Sequence, residues 1–215
     1  MSNGILDLGD TSQAVGLLLS TSTGGIIQNS GNGVSVLTVG TGNASSGVNG
    51  STYGSGSGYQ GVIRDNAGTG TGSVALVKTG TGLQILTGTS TYTGTTLIQQ
   101  GILQIGAGTG TTSTARTGSG LHTVLTGATL SGNGIIGGNT VVNSGGLISV
   151  GNFGQSAAQT LSFAGGLTNS GVLALDVWGA TSVDQIKFLG NATVNLGGNL
   201  VLNNQGAVAA TMAGR

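Results

Sequence analysis

A single histidine, five aspartates and one tryptophan are the residues of this chain with the chemistry for catalysis or ligand capture. A serine nucleophile needs a neighbouring base and an acid to orient it. The one available base, His122, lies in Gly120-Leu121-His122-Thr123-Val124. Alternation places His122 opposite Leu121, so it is expected to face solvent, and no Ser sits in a G-x-S-x-G elbow. Paired carboxylates for glycoside hydrolysis would have to come from Asp176 and Asp184. The Val183-Asp184-Gln185 setting reads instead as a turn or strand edge. Calcium turns of the G-G-x-G-x-D type need an Asp in every repeat. Gly137-Gly138-Asn139-Thr140 and Gly197-Gly198-Asn199-Leu200 supply Asn there, and zinc would find no Cys and one His. The stretch 68–73, GTGTGS, lacks the Gly-Lys-Ser/Thr ending of a phosphate loop. Trp178 and three tyrosines remain as a platform for stacking a sugar, with Trp178 following the alternation Leu173, Leu175, Val177 toward an outer face and Tyr92 read as packing. The expectation is therefore no enzyme: no catalytic residue, no cofactor and no metal.

The elements that carry these residues are short strands. Leu83 and Ile85 alternate with polar neighbours, then Leu97 with Gln99, then Leu103 with Ile105, and each run stops at Gly or Thr-Gly. The unit recurs after roughly twenty residues, from Leu83 to Leu103, the length of one coil of a β-solenoid. Leu83, Ile85, Leu97, Leu103, Ile105, Leu130, Val194 and Leu196 are expected to face the interior. A coil cannot bury its apolar side alone, so each must stack on its neighbours. No stretch shows helical periodicity.

Composition agrees with an ordered, neutral, all-β chain. Gly accounts for 46 of 215 residues, yet 37% of the chain is hydrophobic and only 5% charged, unlike a disordered segment. The exception is 40–58, GTGNASSGVNGSTYGSGSG, expected to be a mobile loop. Five Asp balance Arg64, Lys78, Arg116, Lys187 and Arg215. This leaves no basic patch for phosphates or anionic lipid, so neither nucleic acid nor direct membrane insertion is expected. Zero net charge favours self-association. Cysteine is absent, which suits passage through an oxidising compartment. Residues 1–10 have no basic n-region and no apolar run reaches membrane-spanning length.

Lys78-Thr-Gly-Thr-Gly, Leu83, Thr87-Gly88, Thr91-Tyr92-Thr93-Gly94-Thr95-Thr96 and Gly101-Ile-Leu-Gln-Ile105 together resemble the autotransporter-associated β-strand repeat of passengers secreted by the type V route. Residues 6–16, 24–31, 37–45 and 59–68 resemble the segments that precede that repeat, and 130–152 and 183–200 those that follow. The resemblance implies a right-handed parallel β-helix and export to the cell surface, and it leaves activity open, since one scaffold serves many functions. Val150-Gly151 stands where the family often has Pro-Gly, and the chain has no Pro, so that turn must be built differently. No membrane barrel sequence follows, so a segment of a longer passenger or another exit route is expected. The reading is one elongated solenoid over 1–215 of about ten coils, an extracellular structural element. Its ends, Ile5 to Leu19 and Leu200 to Arg215, look like interior coils with no cap, which predicts a head-to-tail filament. Alternatives are an adhesin fragment binding glycan or a host surface protein and, beyond it, an enzyme scaffold.

Overall fold

The computed structural model describes residues 4–20, 23–43, 45, 58–108, 110–152 and 157–205, all as strands, turns and bends with no helix among them. The loop expected at 40–58 lies outside the described residues over 44 and 46–57. Four sheets form three sides of the stack. The longest has eight strands, Gln13–Val15, Val34–Val39, Ser73–Lys78, Thr96–Ile98, His122–Val124, Thr140–Val142, Leu167–Asn169 and Val194–Leu196, each parallel to the next. A second runs from Leu83–Leu86 through Gly101–Ile105, Ala128–Gly132, Leu147–Val150 and Val172–Gly179 to Asn199–Asn204. The third side is built at one end from Ile5–Asp7, Ile26–Gln28 and Val62–Ile63, and at the other from Ile135–Ile136, Thr160–Phe163 and Gln185–Phe188. Single parallel bridges, Thr89 to Arg116 and Arg116 to Ile135, carry it through the middle. From Ser73 onward the chain visits the three sides in one cyclic order, which is how parallel neighbours are joined without hairpins. One antiparallel hairpin, Val172–Gly179 with Ser182–Val183, interrupts the pattern.

Gln13, Leu37, Leu76, Thr96, His122, Thr140, Leu167 and Val194 succeed one another in a single column of the long sheet. A rung therefore takes from 18 residues, His122 to Thr140, up to 39, Leu37 to Leu76. Strict register across unequal rungs means that pairing, not chain length, fixes which side chains turn inward. Leu37, Leu76, Ile98, Val124, Val142, Leu103, Leu130, Ile148, Ile136 and Phe163 are fully buried and form one continuous core.

Register also corrects several expectations. Leu103, Ile105 and Leu130 are buried as expected. Leu83 pairs with Ile102, one residue away from the Leu103 expected of it, so Gln84 and Leu86 share the inward side with Leu103 and Ile105. Leu83 and Ile85 lie on the outer side of that strand, and they are still buried, Ile85 beneath Gly58. Leu97 is half-buried and faces out, because its neighbours Thr96 and Ile98 fill the two inward columns. Val194 and Leu196 occupy inward columns but are 40% and 56% exposed, for no described rung lies over them.

Corners depend on glycine. A Cβ on Gly120 would come within 2.0 Å of the Gly94 carbonyl oxygen, and one on Gly138 within 2.0 Å of the Gly120 carbonyl oxygen. Successive corners thus stack backbone on backbone, closer than any side chain permits. Gly151 makes the turn that lacks a proline: its φ of 94° suits glycine, and its N–H and C=O are both bonded to Gly132.

Candidate functional site

The polar groups that could do chemistry are drawn inside the stack or onto its backbone. His122, expected to face solvent, is fully buried. The residue that takes the exposed position is Leu121, 45% exposed at the corner before the strand. Val124 is inward, and two residues along a strand share a side, so His122 is inward too. Its column neighbours are Thr96 and Thr140, and neither ring nitrogen has a hydrogen-bond partner. Burial lowers its pKa to about 4, which holds the ring neutral. Among the described residues no carboxylate orients it and no serine hydroxyl is bonded to it, the partners that a general base of a triad would need.

Asp176 and Asp184 do meet, and both are committed to hydrogen bonds. Asp184 Oδ1 accepts from the Gln159 N–H at 2.8 Å and Oδ2 from the Asp176 N–H at 3.0 Å, while the Asp176 carboxylate accepts from the amides of Asn203 and Gln205. Asp184 is buried, and desolvation raises its pKa against the lowering effect of those backbone donors. The pair ties neighbouring rungs together. Trp178 is half-buried with its indole N–H enclosed and unpartnered. Tyr92 is fully buried, its hydroxyl 2.7 Å from Thr96 Oγ1 and its ring against Gly118, and burial pushes its pKa up to about 12.

The most informative polar residue was hidden in an apolar strand. Lys78 closes Ser73–Lys78, in register with Val39 and Ile98, and is fully buried. Its ammonium donates to the carbonyls of Thr79 at 2.6 Å, Gly80 at 2.8 Å and Gln100 at 3.2 Å. Desolvation lowers its pKa to about 8. The aspartates play the mirror role toward N–H groups. Asp10, with φ of 62°, accepts from the backbone of Asn32 and Gly33 and from the Asn29 amide, and Asp65 from Val74 and Thr93. The signal in sequence is position: a charge within two residues of Gly or Asn at the edge of a strand or turn, as in Lys78-Thr79-Gly80, Gly9-Asp10 and Asp65-Asn66.

Among the described residues, no group of three or more His, Cys, Asp or Glu is placed to hold a metal ion. A groove of about 480 Å³ runs over three corners, lined by Leu121, Asn139, Thr140, Thr168, Asn191 and Thr193 among others, none of them ionisable. Neither the curated proteins nor the solved structures compared with the chain give a match. Residues 76–105 match the family described as the passenger-associated-transport-repeat. That segment spans one full rung, Leu76 to Thr96, and the start of the next, from the end of Ser73–Lys78 through Leu83–Leu86 and Thr96–Ile98 to Gly101–Ile105, and it holds both Lys78 and Tyr92. The repeat lies inside the parallel strand stack, and its match supports a likeness to autotransporter passengers built of such β-strand repeats.

Proposed function

We propose that the chain is a right-handed β-solenoid that serves as an extracellular structural element on, or released from, a bacterial surface, and that it joins end to end with a second copy or with further rungs of a longer passenger. The observation that carries this reading is the state of the last described rung. Leu196, Leu200 and Leu202 are 56%, 60% and 60% exposed, whereas Val142 and Ile148, in the same inward columns two rungs earlier, are fully buried. Asn199–Asn204 adds a six-residue edge whose outer backbone groups form a template for another strand. A head-to-tail contact of this kind is heterologous and produces open fibres. In this reading the chain is not an enzyme, needs no cofactor and binds no nucleic acid, and no strand enters the membrane. Electron microscopy and light scattering of the purified chain test it: at tens of micromolar, rods longer than one subunit are expected, and Leu200→Lys with Leu202→Lys should return monomers. A wild-type chain that stays monomeric would overturn self-assembly. The alternative is an adhesin fragment, favoured by the uncharged groove beside Asn139 and Asn191, which suits a neutral glycan.

A further inference from the structure

His122 is the only histidine of the chain and sits at the centre of its longest sheet, with three strands on one side and four, counting its own, on the other of the Thr96–Ile98 strand. Thr96 and Thr140, its partners on the rungs below and above, are fully buried or nearly so. Both ring nitrogens are enclosed with no hydrogen bond of good geometry, and the polar groups that still favour a proton there are the backbone of Asn139 and Gly120. The strands packed on it, Thr96–Ile98, Thr140–Val142 and Ala128–Gly132, contain no titratable side chain. The titratable groups of adjoining positions are Tyr92, bonded to Thr96, and Lys78, two rungs away in the next inward column. Lys78 is itself cationic, so no neighbouring side chain can answer a positive charge on the ring, and the backbone of Asn139 and Gly120 favours it less than burial opposes it.

We infer that His122 is an acid-sensitive device built into the stack: proton uptake on its ring places an uncompensated charge between the Thr96 and Thr140 rungs and parts the long sheet there. An unfolded chain has its histidine in water and takes up this proton near the ordinary value of 6.5, whereas the folded chain resists until about 4. Between those values the unfolded state binds more protons, so stability falls as the pH drops through that window and then levels off. The carboxylates cannot imitate this. Asp7 and Asp10, whose pKa values are lowered, withdraw their support only below the ordinary 3.8, and Asp184, raised, shifts the balance the other way.

Thermal unfolding followed by circular dichroism from pH 7 to pH 4.5 tests the inference on the whole chain. The wild-type melting temperature is expected to fall across this range, and that of His122→Thr, which completes a threonine column, to stay level. Parallel curves for the two would overturn it. Should His122→Thr not fold, the wild type still decides: the one histidine can be titrated by nuclear magnetic resonance. A ring that protonates near 6.5 in the folded protein, with no loss of structure, would also overturn it. Hydrogen exchange at pH 5 is expected to rise first in 96–98, 122–124 and 140–142.

Discussion

The middle of the stack and its last described rung are built from the same kind of strand, yet only one of them has a core. Thr96–Ile98, His122–Val124 and Thr140–Val142 bury everything they turn inward, polar or apolar. Val194–Leu196 turns two aliphatic side chains the same way and leaves both exposed. The difference lies in what is stacked above. In this architecture burial is a property of the neighbour, so composition alone does not tell a core residue from a surface one. It also explains why the middle accommodates Lys78 and His122: a rung covered on both sides can enclose a polar group, whether it is satisfied, like Lys78, or not, like His122.

Placing one charge in each region should separate them most. Leu103→Asp puts an unpaired carboxylate into a fully enclosed column and is expected to abolish folding, a cost of about 4 kcal/mol or more. Leu202→Asp, at a position 60% exposed, is expected to leave the melting temperature nearly unchanged. Equal losses in circular dichroism melts would erase the distinction. The next largest effect belongs to corners. Gly120→Ala meets a backbone oxygen at 2.0 Å and is expected to cost about 3 kcal/mol, while Gly179→Ala, with nothing within 4 Å, should be almost silent to denaturant. Lys78→Met keeps the stem and removes the ammonium, stranding three carbonyls, for an expected loss of about 2 kcal/mol by urea titration. Toward the open end, Phe188→Leu removes a ring stacked 5.6 Å from Phe163, at about 1 kcal/mol. The smallest effect should come from Asp7 at the other end. Its pKa is lowered to about 2, first by Gln28 and then by Ser30, so its contribution is present above 3.8 and fades as pH falls toward 2. Asp7→Asn should flatten the wild-type melting curve in that interval alone.

Strands, turns and the absence of helix were legible because alternation between glycines has few other meanings. Phase was not. In Thr96-Leu97-Ile98 and His122-Thr123-Val124 a three-residue strand offers only one alternation, and the apolar residue in it can belong to either side. Leu97 read as core and His122 as surface, and the ladder reversed both. Leu83 and Ile85 misled for a related reason, since the chain near Gly58 covers the outside of their strand and both of its sides are buried. For the candidate site, residue types alone offered no triad or metal motif to place. What the ionisable residues do instead was not legible, because Asp10 acts on groups about one rung away in sequence, and Lys78 folds back on Thr79 and Gly80 while also reaching Gln100 on the next rung.

That use of charge has a consequence for the setting in which the protein works. Asp7, Asp10, Asp65, Asp176 and Asp184 bond to backbone N–H groups, amides and a hydroxyl, and Lys78 to carbonyls; no cation answers an anion in any of these contacts. Coulomb attraction between paired surface ions weakens as electrolyte accumulates, since the screening length shrinks from about 10 Å at 0.1 M to about 3 Å at 1 M. Short bonds from a charge to a fixed dipole have little range to lose. A fold held this way should keep its shape in rainwater and in brine alike, a tolerance that an ion-paired surface would not give it.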